Sequence, residues 1–213
     1  MRQVVLNFAR SRNYALGQQR LIVSLKRTGF VGRVGMWNDE KDIQAPPHEQ
    51  EPYGFKPYAW KKAVESRCDL GVWVDASVYA VEGIEPVFKH IEEHGHIMEK
   101  SGHVVGDWCN DQALAYFSLT REEALTIPMY GNAGFLGLDL RKPTSLSFLD
   151  QWRAACDAGA FRGRWDDHRH DMACGSVIAN RLGMALTDPK FLVYAAGYDG
   201  ELGKDVVFHA QGM

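Results

Sequence analysis

Apolar residues occur along this chain in short runs that alternate with longer stretches of mixed polarity. The first run, at 4–8, predicts a buried strand, and 14–26 has a helical spacing that ends at Thr28. Further strands are predicted at 32–37 and 70–74. The run at 70–74 is almost entirely apolar, which is typical of a strand that is covered on both faces.

The same alternation continues through the rest of the sequence. Helices are predicted from Pro57 onward and at 87–94, 109–117, 120–125, 148–158 and 172–182, and strands at 96–99, 191–194 and 206–208. Such an order predicts a layered α/β fold with a mostly parallel central sheet flanked by helices. No internal repeat or linker divides the sequence, so we expect a single domain over 1–213.

Composition agrees with a globular protein and narrows its partners. Of the 213 residues, 46% are hydrophobic and 24% are charged, and the net charge is −3. Residues 1–38 contain seven Lys or Arg and no Asp or Glu. This basic first segment suits a small phosphate-bearing ligand, whereas the whole chain lacks the positive balance of a non-specific nucleic-acid binder.

Several other classes are disfavoured by simple pattern arguments. No apolar run approaches the roughly 20 residues of a membrane span, and we expect no signal peptide. The four cysteines are scattered and form no CxxC pair, which argues against a zinc ribbon and suits free thiols in a reducing cytoplasm. No GxGxxG, Walker or GxSxG motif is present.

Because ligands of open α/β sheets bind beyond the carboxyl ends of the strands, polar residues that follow apolar runs are the first candidates. Asp75 follows the run at 70–74 directly, and a buried carboxylate requires a cation or hydrogen-bond donors. A divalent ion that bridges a diphosphate is one such partner. A carboxylate that only caps a turn or a helix is the alternative.

A second candidate is the dense polar segment 165–171, which contains Asp167, His168, His170 and Asp171. It could bind a metal or place a base beside an acceptor hydroxyl. Alternatively it is the polar beginning of the helix at 172–182, with Asp171 capping the free backbone amides.

Two further candidates lie at the ends of predicted strands. His209 ends a short apolar run, although a lone histidine is more often structural. The loop after the first strand, from Asn7 to Tyr14, precedes a helix N-terminus and could hold a phosphate, with Tyr14 stacking on a base.

Together these segments resemble the GT-A glycosyltransferases, especially glycosyltransferase family 8. Residues 72–77 (VWVDAS) resemble the strand and Asp-Ala-Asp element of that family, and 129–140 resemble its Asn-Ala-Gly strand, which a basic turn follows, here 141–142. Asp171 resembles the later Asp-Gln element, and 209–212 (HAQG) the HxxG metal motif. All four occur in the family's order and approximate spacing.

The resemblance implies a single GT-A, Rossmann-like domain in which 1–80 bind the nucleotide and 81–213 the acceptor. It implies a hexosyltransferase-like enzyme that uses a nucleotide-sugar donor, preferably a UDP-sugar, with Mn²⁺ or Mg²⁺. Its metal ligands would be Asp75 and His209, with Ser77 at the second acidic position. The residues that would contact the donor are Asn7, Phe8, Ala9, Arg10, Tyr14, Lys56, Asp75, Ala76, Ser77, Asn132, Ala133 and Gly134.

The catalytic roles depend on stereochemistry, which the resemblance leaves open. If the reaction inverts the anomeric centre, Asp167 or Asp171 is the expected base, with His168 or His170 assisting. Two departures from the family pattern bear on this: Ser77 replaces an acid, and Met172 replaces the glutamine after Asp171. A hydroxyl is a weaker metal ligand than a carboxylate, so metal binding is expected to be weaker.

Other functions remain compatible with the sequence. The acceptor could be a saccharide, a small molecule or a modified base in DNA, the last if the basic first segment faces the polymer. A nucleotide-sugar binding protein without transferase activity is a second alternative, and a metal-dependent hydrolase built on 166–171 is a third. Oligomeric state is not predicted.

Overall fold

A five-stranded sheet lies at the centre of the computed structural model, which describes residues 1–131, 134–194 and 205–211. The strands of the chain are β1 (Gln3–Phe8), β2 (Arg33–Trp37), β3 (Leu70–Trp73), β4 (Val78–Ala80), β5 (His96–Met98), β6 (Lys100–Val104), β7 (Pro128–Tyr130), β8 (Leu136–Asp139), β9 (Leu192–Tyr194) and β10 (Phe208–Ala210). The central sheet has the order β2-β1-β3-β8-β5. β1 is parallel to β2 and β3, while β8 is antiparallel to both β3 and β5. The predicted α/β fold with a mostly parallel sheet is therefore confirmed.

Smaller sheets in the described ranges extend this centre. β10 pairs antiparallel with β4 and parallel with β9, and β6 pairs with β7. The backbone amide of Gln211 also donates to the Ser77 carbonyl at 3.0 Å. The segment that carries His209 is thus fixed beside the segment that follows Asp75.

Helices cover both faces of the central sheet. They are α1 (Arg12–Arg27), α2 (Phe55–Glu65), α3 (Glu85–His94), α4 (Val105–Trp108), α5 (Asp111–Tyr116), α6 (Arg121–Leu125), α7 (Pro143–Asp157) and α8 (His170–Arg181), with a short 3₁₀ helix at Glu40–Ile43. In β1, Leu6 packs in the core formed by α2, α7 and α8, and Val5 packs on the other face with α1 and α3. Successive strand residues point to opposite faces, which explains why both are apolar.

Local sequence signals account for several boundaries. Thr28 ends α1 and is followed by Gly29 with a φ of 83°. Thr120 is the N-cap of α6, and Glu123 completes a capping box. Pro143 occupies the first turn of α7, so this helix begins five residues before the predicted start at 148.

Other boundaries differ from the prediction. The helix predicted at 109–117 is present but shorter, at Asp111–Tyr116, because Cys109 is extended and Asn110 caps the helix by accepting from the Ala113 amide. The last strand covers 208–210 rather than 206–208. β4, β6 and β7 were not predicted, since strands of three to five residues leave little periodicity to detect.

The remaining sequence-level expectations concern thiols and membranes. All four cysteines lie within the described residues, and all are buried and free of disulfides. In the part of the chain that the structure describes, no helix has both the length and the apolar character of a membrane span.

Candidate active site

A cavity of about 690 Å³ lies where β1 and β3 end. This is the edge at which an open α/β sheet binds its ligands, and the volume falls within the usual range for a small-molecule site. Its lining comprises Phe8, Arg10, Ser11, Tyr14, His48, Tyr53, Phe55, Asp75, Ala76 and Ser77.

The loop after β1 contributes only some of its residues to this cavity. Phe8, Arg10 and Tyr14 line it. Asn7 is buried and instead donates to the Val74 carbonyl at 2.7 Å, which ties β1 to the residue before Asp75. Ala9 is also buried, and its amide donates to the carbonyl of Trp37 at the end of β2. Asn7 and Ala9 therefore shape the loop without lining the cavity.

The mouth of the cavity carries charge and an aromatic ring. Arg10 forms ion pairs with Glu40, at 3.3 Å, and with Glu49. The Glu49 hydrogen bond raises the pKa of the guanidinium further. Ser11 caps α1, whose N-terminus faces this region, and the Tyr14 ring is half exposed.

Asp75 is the acidic group that faces the cavity. Its Oδ1 accepts a hydrogen bond from the Trp73 indole at 2.8 Å and lies 3.3 Å from the Lys56 ammonium. One third of the side chain is exposed. Ala76 and Ser77 continue the cavity wall next to it.

Gly134 lies directly against this carboxylate. A Cβ at position 134 would come within 2.5 Å of Oδ1 and 2.6 Å of Oδ2 of Asp75, closer than atoms can approach. The residue also has a φ of 70°, which favours glycine. The predicted neighbours Asn132 and Ala133 lie outside the described residues, as does Gly212 of the HxxG segment.

Lys56 connects Asp75 to Asp171. Its ammonium lies 2.9 Å from Asp171 Oδ2, and both side chains are buried. Burial alone would lower the pKa of Lys56, but the charges of Asp171 and Asp75 outweigh it and raise the pKa. Burial raises the pKa of Asp171 to about 6, opposed by Lys56. Lys56 thus faces two carboxylates and is not part of the cavity lining, although the resemblance placed it among the residues that contact the donor.

The other predicted catalytic side chains are placed differently. His168 and His170 are buried and face the backbone carbonyls of Ala160 and Phe161 at 2.9 and 2.8 Å. Burial lowers the pKa of both, that of His170 to about 4. These contacts fix the loop before α8, whereas Asp167 is exposed and does not line the cavity.

The cap alternative for Asp171 is also not observed. The residue at the N-cap of α8 is Arg169, which makes no side-chain cap hydrogen bond. The Asp171 carboxylate, in the first turn, binds Lys56 instead.

His48, Tyr53 and Phe55 line the cavity, although the sequence analysis did not select them. They come from the Pro-containing loop before α2 and from its first residue, and their rings contact one another. Burial raises the pKa of Tyr53 to about 12. The available signal was a cluster of aromatic residues in an irregular loop, but aromatic clusters of this kind are more often part of the core.

The structure brings few donor atoms together around the predicted metal ligands. Among the described residues, no group of three or more His, Cys, Asp or Glu side chains could hold a metal ion. One oxygen of Asp75 already faces Lys56. His209 pairs in register with Tyr79, and its Nδ1 lies 3.4 Å from the Tyr79 hydroxyl. These side chains do not form a metal centre without further ligands.

Comparison with known proteins gives the fold. No family model matches the sequence, and no curated protein is similar to it in sequence. The structure is similar to that of mouse xyloside xylosyltransferase 1, with a TM-score of 0.52 and 9% identity over 98% of this chain and 97% of that one. A glycosyltransferase involved in glycosylation of the major capsid of PBCV-1 gives a TM-score of 0.58 and 10% identity over 99% and 92%.

A third similar structure is longer. The bifunctional glycosyltransferase WbbM gives a TM-score of 0.51 and 12% identity over 91% of this chain, which matches 40% of that chain. At such identities the similarity shows a shared fold, and all three structures with this fold are described as glycosyltransferases.

Proposed function

We propose that this protein is a glycosyltransferase that moves a sugar from a nucleotide-diphosphate-sugar, preferably a UDP-sugar, to an acceptor hydroxyl. The observation that carries the proposal is the carboxylate of Asp75. It faces the cavity at the strand ends and is enclosed by Lys56, Trp73 and Gly134. The shared fold with glycosyltransferases supports the same reaction class.

The residues that line the cavity favour one orientation of the donor. The half-exposed Tyr14 ring offers a stacking surface for a base, and Arg10 lies beside it with a guanidinium that suits phosphate oxygens. The N-terminus of α1 adds free backbone amides on the same side. Phosphates placed there would replace Glu49 as the partner of Arg10.

The sugar would then lie over Asp75 and Gly134. Transfer breaks the bond between the anomeric carbon and the diphosphate oxygen and forms a bond from that carbon to the acceptor oxygen. The acceptor proton leaves to a base. Asp75 is placed to accept hydrogen bonds from sugar hydroxyls and hold the ring in one orientation.

Lys56 and Asp171 act behind Asp75 in this proposal. Lys56 stays protonated and fixes Oδ1 of Asp75, while Asp171 fixes Lys56. Because Asp171 is buried and ion-paired, its contacts favour a positioning role over that of a base. A base function for Asp171 or the exposed Asp167 stays a prediction.

Metal dependence also stays a prediction. Oδ1 of Asp75 faces Lys56 and Trp73, which leaves Oδ2 and the neutral Ser77 hydroxyl as ligands. Two ligands are few for Mg²⁺ or Mn²⁺. Such ions commonly complete their shell with substrate phosphates and water. His209 could contribute a neutral imidazole, since burial lowers its pKa.

Donor binding and turnover provide the test. Nucleoside diphosphates and their sugars are added to the protein in a thermal-shift assay with Mn²⁺, with Mg²⁺ and with EDTA, and sugar release is followed by NMR. A ligand that binds only the folded state raises its apparent stability, so the preferred donor will shift the melting temperature. We expect Asp75→Asn to reduce sugar release by on the order of 100-fold, because charge and orientation at the sugar are lost.

The matched control is Asp188→Asn, which changes an aspartate of the same size that is 86% exposed at its side chain. Equal sugar release by Asp75→Asn and the wild type would refute the proposed role of the site. Donor binding without release, with any acceptor, would instead identify a nucleotide-sugar binding protein. Phosphoester hydrolysis without a nucleotide-sugar would identify a hydrolase, and salt-dependent binding of duplex DNA would identify a DNA-modifying enzyme.

A further inference from the structure

A row of side chains in aromatic and cation–π contact leads from the cavity to the surface. The Tyr53 ring lines the cavity and lies 5.6 Å from the Trp165 ring. The guanidinium of Arg169 lies 4.0 Å from the Trp165 ring and 4.1 Å from the Trp108 ring, between the two. His103 ends the row 5.5 Å from Trp108. Trp165, Arg169, Trp108 and His103, which form the outer part of this row, have no role in the proposed reaction site.

Trp165 is held in place although it is half exposed. A cation between two indole rings attracts both faces, and here Arg169 provides that cation. Its backbone amide donates to the Trp108 carbonyl at 2.9 Å, which anchors the arginine from the other side. The Nη1 atom is buried and has no hydrogen-bond partner in the described part of the chain, so ring contacts are the main partners observed for this guanidinium.

The exposed face of Trp165 is available to a ligand next to the cavity. Trp165 is 48% exposed, and its ring contacts Tyr53, which lines the cavity. The inner contacts of its ring, with Tyr53 and His170, continue to the residue next to Asp171. A ligand on Trp165 would therefore have one end beside the cavity.

Charges around Trp165 indicate which ligand class fits. Asp166 and Asp167 follow it and are exposed, and Arg164 is already paired with Asp166 at 2.7 Å. Carboxylates accept hydrogen bonds from hydroxyl groups and repel phosphates. An aromatic face attracts the C–H groups of a sugar ring because the face of the π system is negative. A neutral saccharide meets both requirements, whereas a nucleic acid would face the carboxylate of Asp167, which Arg164 does not neutralise.

We propose that Trp165 is the platform of an acceptor subsite for a neutral saccharide chain. One sugar ring stacks on Trp165, its hydroxyls donate to Asp166 or Asp167, and the next residue of the chain enters the cavity past Tyr53. Arg169 is a positioning residue that holds Trp165. This inference rests on the proposed glycosyltransferase function and specifies its acceptor.

The subsite can be tested by binding alone, without knowledge of the donor. Isothermal titration calorimetry is used with neutral hexasaccharides of glucose, xylose, mannose and N-acetylglucosamine, and with a single-stranded oligonucleotide of similar length. We expect at least one hexasaccharide to bind the wild type, and Trp165→Ala to weaken that binding about tenfold or more. Trp165→Phe keeps an aromatic face and is expected to stay within about threefold of the wild type.

Matched controls separate this subsite from stability and from the donor site. Tyr116→Ala removes another exposed aromatic ring, 42% exposed on α5, and is expected to leave hexasaccharide binding unchanged. Donor-induced thermal shifts are measured on all variants. They are expected to be equal, because Trp165 does not line the cavity in which the donor is placed.

The proposal is overturned if no hexasaccharide binds at concentrations of about 10 mM, the weakest binding expected of a specific subsite. Equal hexasaccharide binding by Trp165→Ala and the wild type, or binding of the oligonucleotide alone, overturns it as well. Failure of every donor to bind the wild type would refute the glycosyltransferase function itself. Because that readout does not involve Trp165, the two failures are distinguishable.

Discussion

The ammonium of Lys56 lies 2.9 Å from the carboxylate of Asp171, and both side chains are almost completely removed from solvent. One lysine on α2 thereby joins the first turn of α8 to Asp75 at the end of β3, 3.3 Å away. Two carboxylates share one cation in this arrangement. Of the two carboxylates, Asp171 is the buried one, so it bears the larger cost of removing a charge from water.

Removal of the lysine charge is expected to destabilise the fold strongly. Lys56→Met leaves Asp171 buried without its cation, which typically costs about 3–5 kcal/mol in the free energy of unfolding. The double variant Lys56→Met with Asp171→Leu should recover much of this loss, because no buried charge remains unpaired. Urea denaturation of the single and double variants measures the coupling.

The control for this cycle lies on the same helix. Lys62 is partly exposed and pairs with Glu65 at 3.4 Å, so Lys62→Met should change the free energy of unfolding by about 1 kcal/mol or less. Strict additivity of the two substitutions in the Lys56–Asp171 cycle would contradict the interaction.

Substitution of Gly134 tests the wall around Asp75. Gly134→Ala places a Cβ within 2.5 Å of Asp75 Oδ1, so the carboxylate must move and donor turnover should fall by about tenfold or more. Gly183→Ala is the matched control, because Gly183 has a φ of 66° against 70° for Gly134 but no atom within 4 Å of the added Cβ. Both variants should lose about 1 kcal/mol of stability from the backbone conformation. Similar turnover in the two variants would count against the contact.

The stability of the protein should rise as pH increases from about 4 to about 6.5. Burial lowers the pKa of His170 to about 4, against about 6.5 in the unfolded chain, so the unfolded state binds more protons in this window. Low pH therefore favours unfolding, by on the order of 3 kcal/mol for this residue alone. Burial lowers the pKa of His168 in the same direction.

Asp171 opposes this trend. Its pKa is raised to about 6, so between about 3.9 and 6 the folded state holds a proton that the unfolded state has released, and stability falls as pH rises. Burial also raises the pKa of Glu51, and we expect the two histidines to outweigh both carboxylates. His170→Asn, which suits the φ of 38° at this position, should flatten the rise in melting temperature. His94→Asn, at an exposed histidine, should leave the slope unchanged, and a flat wild-type profile would contradict the assignment.

Arg10 is expected to contribute to donor affinity through the diphosphate. Arg10→Gln should weaken UDP binding about tenfold at low salt, since a charge-assisted contact is lost, and should reduce the salt dependence of the affinity. Arg12→Gln is the control, because Arg12 is exposed in the same segment but does not line the cavity. Calorimetric titration with UDP at two salt concentrations measures both effects. Equal losses in the two variants would indicate a general charge effect instead.

The fold could be predicted from the sequence because its main signals are local. The run at 70–74 is apolar throughout, and β3 is indeed covered on both faces. Thr120 and Gly29 mark helix ends with their own chemistry. The helix start at 111 rather than 109 was missed because the cap at Asn110 depends on one hydrogen bond within an otherwise helical pattern.

The site could be predicted only where strand ends determine it. Asp75, Ala76 and Ser77 line the cavity because they follow β3, and Arg10 because it follows β1. The pairing of Lys56 with Asp171 joins residues far apart in the chain, which no local pattern reveals.

The histidines of the 165–171 segment show a further limit of pattern arguments. His168 and His170 alternate like exposed site residues, but their partners are the carbonyls at 160 and 161. Only folding brings these carbonyls within hydrogen-bond distance of the imidazole rings.

The direction of β8 places its two ends at opposite edges of the central sheet, and only one of these edges carries the cavity. Because β8 is antiparallel to β3, the chain passes Asp75 before it enters β8. It leaves β8 beside Leu70, at the opposite end of β3, about 13 Å from where it entered. In the basic turn there, the Arg141 guanidinium donates two hydrogen bonds to Asp139, and the turn does not line the cavity. A fluorescent dye or an immobilisation tether attached at Lys142 would therefore leave the path of the substrates open.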